Sequence, residues 1–222
     1  MPNWCQNVLT LGNTDPEMIK RVVAGYTGNG IMQEFHPCPQ DLIDTMAGSH
    51  LPGSPEQAQL EAREQANVEL YGFKNWYDWC VANWGTKWDI TQDNNGDAAV
   101  NDDGLSVQFS FDSAWSPPIE FYEKMEELGF TVDAFYYEPG MAFCGRYAEG
   151  VDDQHEIKGN SDWVEKNIPR EINDEFAIAE SMSMWEEDEV MPAQDNLPVG
   201  ISKSLEISHD ADPEQEVSIH HN

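Results

Sequence analysis

Three short clusters concentrate the residues of this chain that could do chemistry. Trp4-Cys5-Gln6-Asn7 opens it, Asn83-Trp84-Gly85-Thr86-Lys87-Trp88-Asp89 lies in the middle, and Ala114-Trp115-Ser116-Pro117-Pro118 follows. Each sets Trp beside small or amide-bearing residues at the end of an expected strand or helix. Indole rings offer flat apolar faces and one N–H donor, so together they could stack a base, a sugar or a partner side chain. On that reading the candidate pocket comprises Trp4, Asn7, Trp84, Thr86, Lys87, Trp88 and Trp115. Asn7 and Thr86 would read a ligand's edge, and Lys87 and Arg146 are the cations an anionic ligand would need. The competing reading is architectural: Trp fills the core while Asn, Thr and Ser satisfy buried backbone at corners.

Other chemistries fit less well. The chain has neither Gly-x-Gly-x-x-Gly nor a Walker-type Gly-Lys-Ser/Thr, and no Gly-x-Ser-x-Gly elbow. Asp93, Asn95 and Asp97 stand at the first, third and fifth places of a calcium loop, but Ala98 replaces the turn glycine and no Glu closes it. His36-Pro37-Cys38 supplies two zinc ligands with no second pair at a usable spacing. Cys80 with His36 or His50 could form a nucleophile and base, yet Cys80 sits among tryptophans, where burial makes a thiol inert. The expectation is therefore no enzyme activity, no cofactor and no metal.

Composition narrows the field further. The 222 residues include 42 Asp and Glu against 11 Lys and Arg, a formal charge of −31. That excludes a basic nucleic-acid binder, because counterion release needs cations on the phosphates. Eight Trp, seven Tyr and nine Phe suffice for a real core. No run approaches the length of a membrane span. Met1 to Cys5 shows neither region of a signal peptide, and four scattered cysteines read as reduced, so a cytoplasmic location is expected. After Tyr147 only Trp163, Phe176 and Trp185 are aromatic, while residues 151–222 carry a net of −15. The expected organisation is a domain over 1–150, an acidic helical extension over 151–189 and a mobile acidic tail over 190–222.

These clusters need elements to hold them. Trp4 to Leu11 reads as a strand, and Thr14-Asp15-Pro16-Glu17 as a capping box opening a helix with Ile19, Val22, Val23 and Tyr26 on one face. Residues 31–85 read as an inserted helical segment, with starts at Ser54-Pro55 and Asn75. Trp88 and Ile90 alternate as a strand before an Asp93–Gly96 turn. Leu105, Val107, Phe109 and Phe111 alternate with polar residues, one face buried and one wet. A platform for single-stranded RNA on those phenylalanines lacks its basic strand motif. Ser116-Pro117-Pro118 opens another helix, and 131–137 and 142–148 read as strands. The order predicts an α+β fold: a ferredoxin-like antiparallel sheet with helices on one face, an inserted helical segment and an acidic C-terminal extension. The remaining face must then be covered by the insertion, by the tail or by a partner.

The motifs Pro2–Asn7, Trp76–Asp89 and Ala114–Pro118 resemble the YubB-like family of phage and plasmid proteins, over roughly residues 1–150. That resemblance implies a ferredoxin-like domain and an origin in a mobile element. It implies no catalytic residue, cofactor or substrate. The resulting expectation is a non-catalytic accessory protein that binds and modulates or inhibits a host macromolecule, a defence or takeover target. Its partner would be a host protein, plausibly a basic nucleic-acid-binding one, with no direct nucleic acid and no membrane. Two alternatives stand beside it: an acidic DNA mimic, and sequestration of a nucleotide-like ligand in the Trp-lined pocket.

Overall fold

A computed structural model describes residues 2–190 apart from Asn94. The expected tail over 190–222 lies, beyond its first residue, outside the described residues. The fold is α+β, built on a six-stranded antiparallel sheet in the order β2-β3-β1-β4-β5-β6. Its strands are β1 (Trp4–Gly12), β2 (Ala99–Val100), β3 (Ser106–Ala114), β4 (Thr131–Glu138), β5 (Phe143–Ala148) and β6 (Val151–Glu156). The helices are α1 (Pro16–Thr27), α2 (Ile31–Phe35), α3 (Gln40–Ile43), α4 (Pro55–Tyr71), α5 (Trp76–Trp84), α6 (Ile119–Glu127), α7 (Ser161–Asn167), α8 (Arg170–Phe176) and α9 (Ile178–Val190). Taken as β1-α1-β2-β3-α6-β4 with spatial order β2-β3-β1-β4, the centre has the split ferredoxin-like arrangement. Helices α2 to α5 are inserted between α1 and β2, and β5 and β6 extend the sheet.

Alternation in β1, β3 and β4 decides which side is dry. Leu9 lies between Phe109 and Ala134, and Leu11 between Val107 and Val132. These side chains meet Ile19, Val22 and Tyr26 of α1, Tyr122 and Met125 of α6, and Trp79 and Trp84 of α5 in the main core. Tyr26 stacks on Phe109 with centroids 5.1 Å apart. Residues of the opposite parity on β1 and β3, including Gln6, Thr10, Gln108, Ser110 and Asp112, face outward as a polar surface.

Local start signals work as short-range chemistry dictates. Ser54 caps α4 by accepting from the Gln57 N–H at 3.1 Å. Asn75 caps α5 by accepting from Tyr77 and Asp78. At α1 the cap is Asp15 rather than Thr14, with its carboxylate accepting from Glu17 N–H at 3.0 Å.

Three expectations need correction. Trp88 to Ile90 is not a strand: Asp89 and Ile90 are bonded to the start of α2, and the second strand of the sheet is Ala99–Val100. The hairpin turn is accordingly at Asn101–Gly104, not at Asp93–Gly96. Helices also cover more than one face. At Gly150 the chain turns from β5 into β6, and Cys144, Val164, Ile168, Ile172 and Ile178 form a second core with Phe135 and Tyr137. So α7 to α9 roof the second face of β4 and β5, while among the described residues no helix covers that face of β1 and β3.

Candidate functional site

All three clusters meet at one end of the sheet, where β1 begins and β3 ends. The register sets Trp4 opposite Ala114 and Cys5 opposite Ser113. Asn7 donates to Cys5 O at 2.7 Å and to Ser113 Oγ at 2.8 Å, and its Oδ1 accepts from the Tyr122 hydroxyl at 3.3 Å. Ser113 Oγ donates to Ser116 O at 2.7 Å. Thr86 Oγ1 accepts from Ala114 N at 3.0 Å, and Ser116 Oγ donates to Gly85 O at 3.0 Å. Gly85 ends α5 at φ +80, and a Cβ there would press on Pro118 and Ile119 backbone at 3.1–3.2 Å. Only glycine fits both the conformation and the gap.

From Gly85 the loop 85–98 carries Lys87 and Trp88 across this end. Asp89 anchors it. Its carboxylate accepts from Met32 N at 2.8 Å, Gln33 N at 2.7 Å and Ile90 N at 2.7 Å. A Cβ on Gly30, at φ +114, would overlap that carboxylate. Burial lifts the Asp89 carboxyl to about 6, against the pull of the three N–H donors. Farther on, Gln92 N donates to Tyr26 O at 2.8 Å, and Tyr26 donates from its hydroxyl to Gly96 O at 2.5 Å.

The candidate residues separate into two groups. Asn7 and Thr86 are each 1% exposed and Trp84 is 5% exposed. Asn7 and Thr86 hold backbone corners, which corrects the expectation that they read a ligand. Trp84 donates from Nε1 to His36 O at 2.8 Å and lines a 270 Å³ pocket with Trp76, Lys87 and Trp88. By contrast Trp4, Trp88 and Trp115 are 44%, 42% and 41% exposed. Trp4 and Trp88 stack with centroids 5.7 Å apart. Tyr77 meets Trp115 edge-on at 6.3 Å and Trp76 at 6.0 Å. The Lys87 ammonium lies 4.3 Å from the Trp88 centroid, with Tyr77 at 5.7 Å and Trp76 at 5.9 Å. Among the described residues no carboxylate forms an ion pair with it. Trp115 sits at φ +68, a conformation that costs a bulky residue about 1–3 kcal/mol.

No family model matches the sequence. No curated protein matches it either. Among solved structures, this chain is similar to the crystal structure of a protein api92 from Yersinia pseudotuberculosis, of the family model DUF1281. The identity is 13%, the match covers 72% of this chain and 99% of that one, and the TM-score is 0.33.

The other candidate chemistries are accounted for by that geometry. Arg146 is committed: it holds Asp133 through two bonds of 2.9 Å, reaches Glu171 at 3.0 Å and lies over Phe135, which docks α8 on the sheet. The Cys80 thiol lies beside the Cys38 thiol rather than a histidine, and that neighbour and burial push the Cys80 thiol up. Burial pushes Cys5 up to about 12 and Cys144 to about 11. Asn95 and Asp97 are held inside their loop, Asn95 by Thr91 O and Asp97 by Gln92. Among the described residues no three of His, Cys, Asp and Glu gather as a metal site. None of the helices among the described residues is long and apolar enough to cross a membrane. What sequence reasoning missed in this region is the group around the exposed rings: Trp76, Tyr77, Asp112 and Asn95. Tyr77 stands in the middle motif, so the motif itself was the available signal.

Proposed function

We propose that this chain is a non-catalytic accessory protein of a phage or plasmid, of the YubB-like kind, that acts in the host cytoplasm by binding and inhibiting or modulating a host protein. One observation carries the reading. Three half-exposed indoles, Trp4, Trp88 and Trp115, the last held at φ +68, lie at one end of the sheet, and the Lys87 ammonium over Trp88 has no carboxylate partner among the described residues. Strain and exposed aromatic area both oppose stability, so their coincidence points to use rather than packing. Large aromatic side chains are also the usual anchors of protein interfaces. The net charge of −31 would steer the chain toward basic partners. The resemblance of the three motifs supports the mobile-element origin.

Tagged protein and its Trp88→Ala and Trp115→Ala variants would be used to capture proteins from lysate of the host bacterium at low and high salt. One stoichiometric protein that survives high salt with the parent chain, and is lost with either variant, is the expected result. Equal capture by both variants, or only a salt-labile spread of basic proteins, overturns it.

A further inference from the structure

Beside the stacked Trp4 and Trp88 lies a pocket of 370 Å³, lined by both rings and by Asp89, Thr91, Asp93, Asn95 and Asp112. From its chemistry we propose that this pocket receives an arginine side chain from an extended basic segment of the partner, with the guanidinium stacked on the indole wall and paired with Asp112. The inference rests on the binding reading above and specifies the partner's chemistry.

The lining contains carboxylates, an amide and a hydroxyl, but no cation. Lys87 lines the two neighbouring pockets and not this one. Asp89 is already occupied by three backbone donors. Asp112 is different: no hydrogen bond or ion pair to its carboxylate occurs among the described residues, and only its backbone N–H is engaged, by Asn95 at 3.4 Å. Partial burial raises its pKa, as expected of an anion lacking a counter-charge. Asp93 adds a second negative charge on the rim.

Aromatic walls with an unpaired carboxylate favour a planar cation. Guanidinium stacks on indole, is weakly hydrated and can bond a carboxylate through two N–H groups, which ammonium does less well. The surroundings also suit a peptide rather than a free amine. A second pocket of 340 Å³ shares Asn95 and Asp112 and continues along the open sheet face past Gln6, Val8 and Ser110 to Phe176. That groove gives room for the residues flanking the arginine.

The probe is the capped pentapeptide Gly-Gly-Arg-Gly-Gly, with lysine and citrulline versions as controls, read by the indole N–H resonances of Trp4 and Trp88 in the full chain. The arginine peptide should shift both resonances saturably, the lysine peptide more weakly, and the uncharged citrulline peptide not at all. Asp112→Asn should weaken the arginine peptide about tenfold or more. The fold should be unaffected, because that carboxylate bonds nothing among the described residues. No shift with arginine, an equal response to citrulline, or unchanged affinity in Asp112→Asn overturns the proposal. In that event, a host protein lost with Trp88→Ala but retained with Asp112→Asn would leave the binding reading standing and the arginine pocket refuted.

Discussion

Replacing Asp89 by Asn tests how the loop bearing Lys87 and Trp88 is held. In the folded chain burial raises the carboxyl from an ordinary 3.8 to about 6, despite three backbone donors. A raised carboxyl pKa means that the fold favours the protonated form. Its stabilising effect is complete below pH 3.8 and is lost as the pH rises through about 6. Each unit is worth about 1.4 kcal/mol, so the whole window amounts to about 3 kcal/mol, of which about 1.4 kcal/mol falls between pH 5 and pH 7.5. Asn keeps one acceptor oxygen for Met32 and Ile90 but turns an NH₂ toward the Gln33 N–H. That exchange costs about 1–3 kcal/mol at any pH. Asp89→Asn should therefore be about 1.4 kcal/mol less unfavourable at pH 7.5 than at pH 5. Urea unfolding of both chains at the two pH values gives the difference, which cancels titration elsewhere. A difference that does not change with pH would refute the perturbed carboxyl. A larger penalty at pH 7.5 would show that the three N–H donors outweigh desolvation.

Further outcomes follow from the same geometry. Trp115→Gly should be more stable than Trp115→Ala by about 0.5–1 kcal/mol, the reverse of the usual order, because Ala still carries a Cβ at φ +68; thermal melting of the pair decides it, and equal values would mean that the backbone relaxes. Asn7→Ala should cost about 1–3 kcal/mol by leaving the buried Tyr122 hydroxyl without its acceptor; a loss under about 0.5 kcal/mol in urea unfolding would show that the network reorganises. Arg146→Ala should cost no more than about 1 kcal/mol, since its pairs are partly exposed, yet it should speed amide exchange in α8; unchanged exchange there would deny it the docking role.

Much of the scaffold was legible in the residues. Val107, Phe109 and Phe111 alternate because one face of β3 is dry, and that pattern survives any choice of neighbours. The caps at Ser54 and Asn75 depend on one side-chain oxygen and the next few N–H groups. Tertiary contacts overrode the local pattern at Trp88–Ile90. A period of two suggested a strand, but the Asp89 carboxylate found the open N–H groups at the start of α2, and Ile90 O took the Ile31 N–H. That the second face of the sheet needs a cover follows from the strand pattern, but which residues cover it does not. Val164, Ile168, Ile172 and Ile178 are too sparse and too surrounded by acids to announce a core, and only Cys144, Phe135 and Tyr137 on the strands give them one.

The candidate site divides along the same line. Residue type and spacing by themselves picked out the Trp clusters and their lone lysine, because indole beside amide and glycine is a chemically unusual combination at element ends. They could not separate Trp79 and Trp84, which are buried, from Trp4, Trp88 and Trp115, which are half in water. Nor could they join Asp112 to Trp4 and Trp88, or commit Arg146 to Asp133 and Glu171. Short-range chemistry sets caps, turns and alternation, since its partners lie within a few residues. Exposure and charge pairing at this end of the sheet depend on residues about a hundred positions apart in the chain, and the register of β1 against β3 is what brings them together.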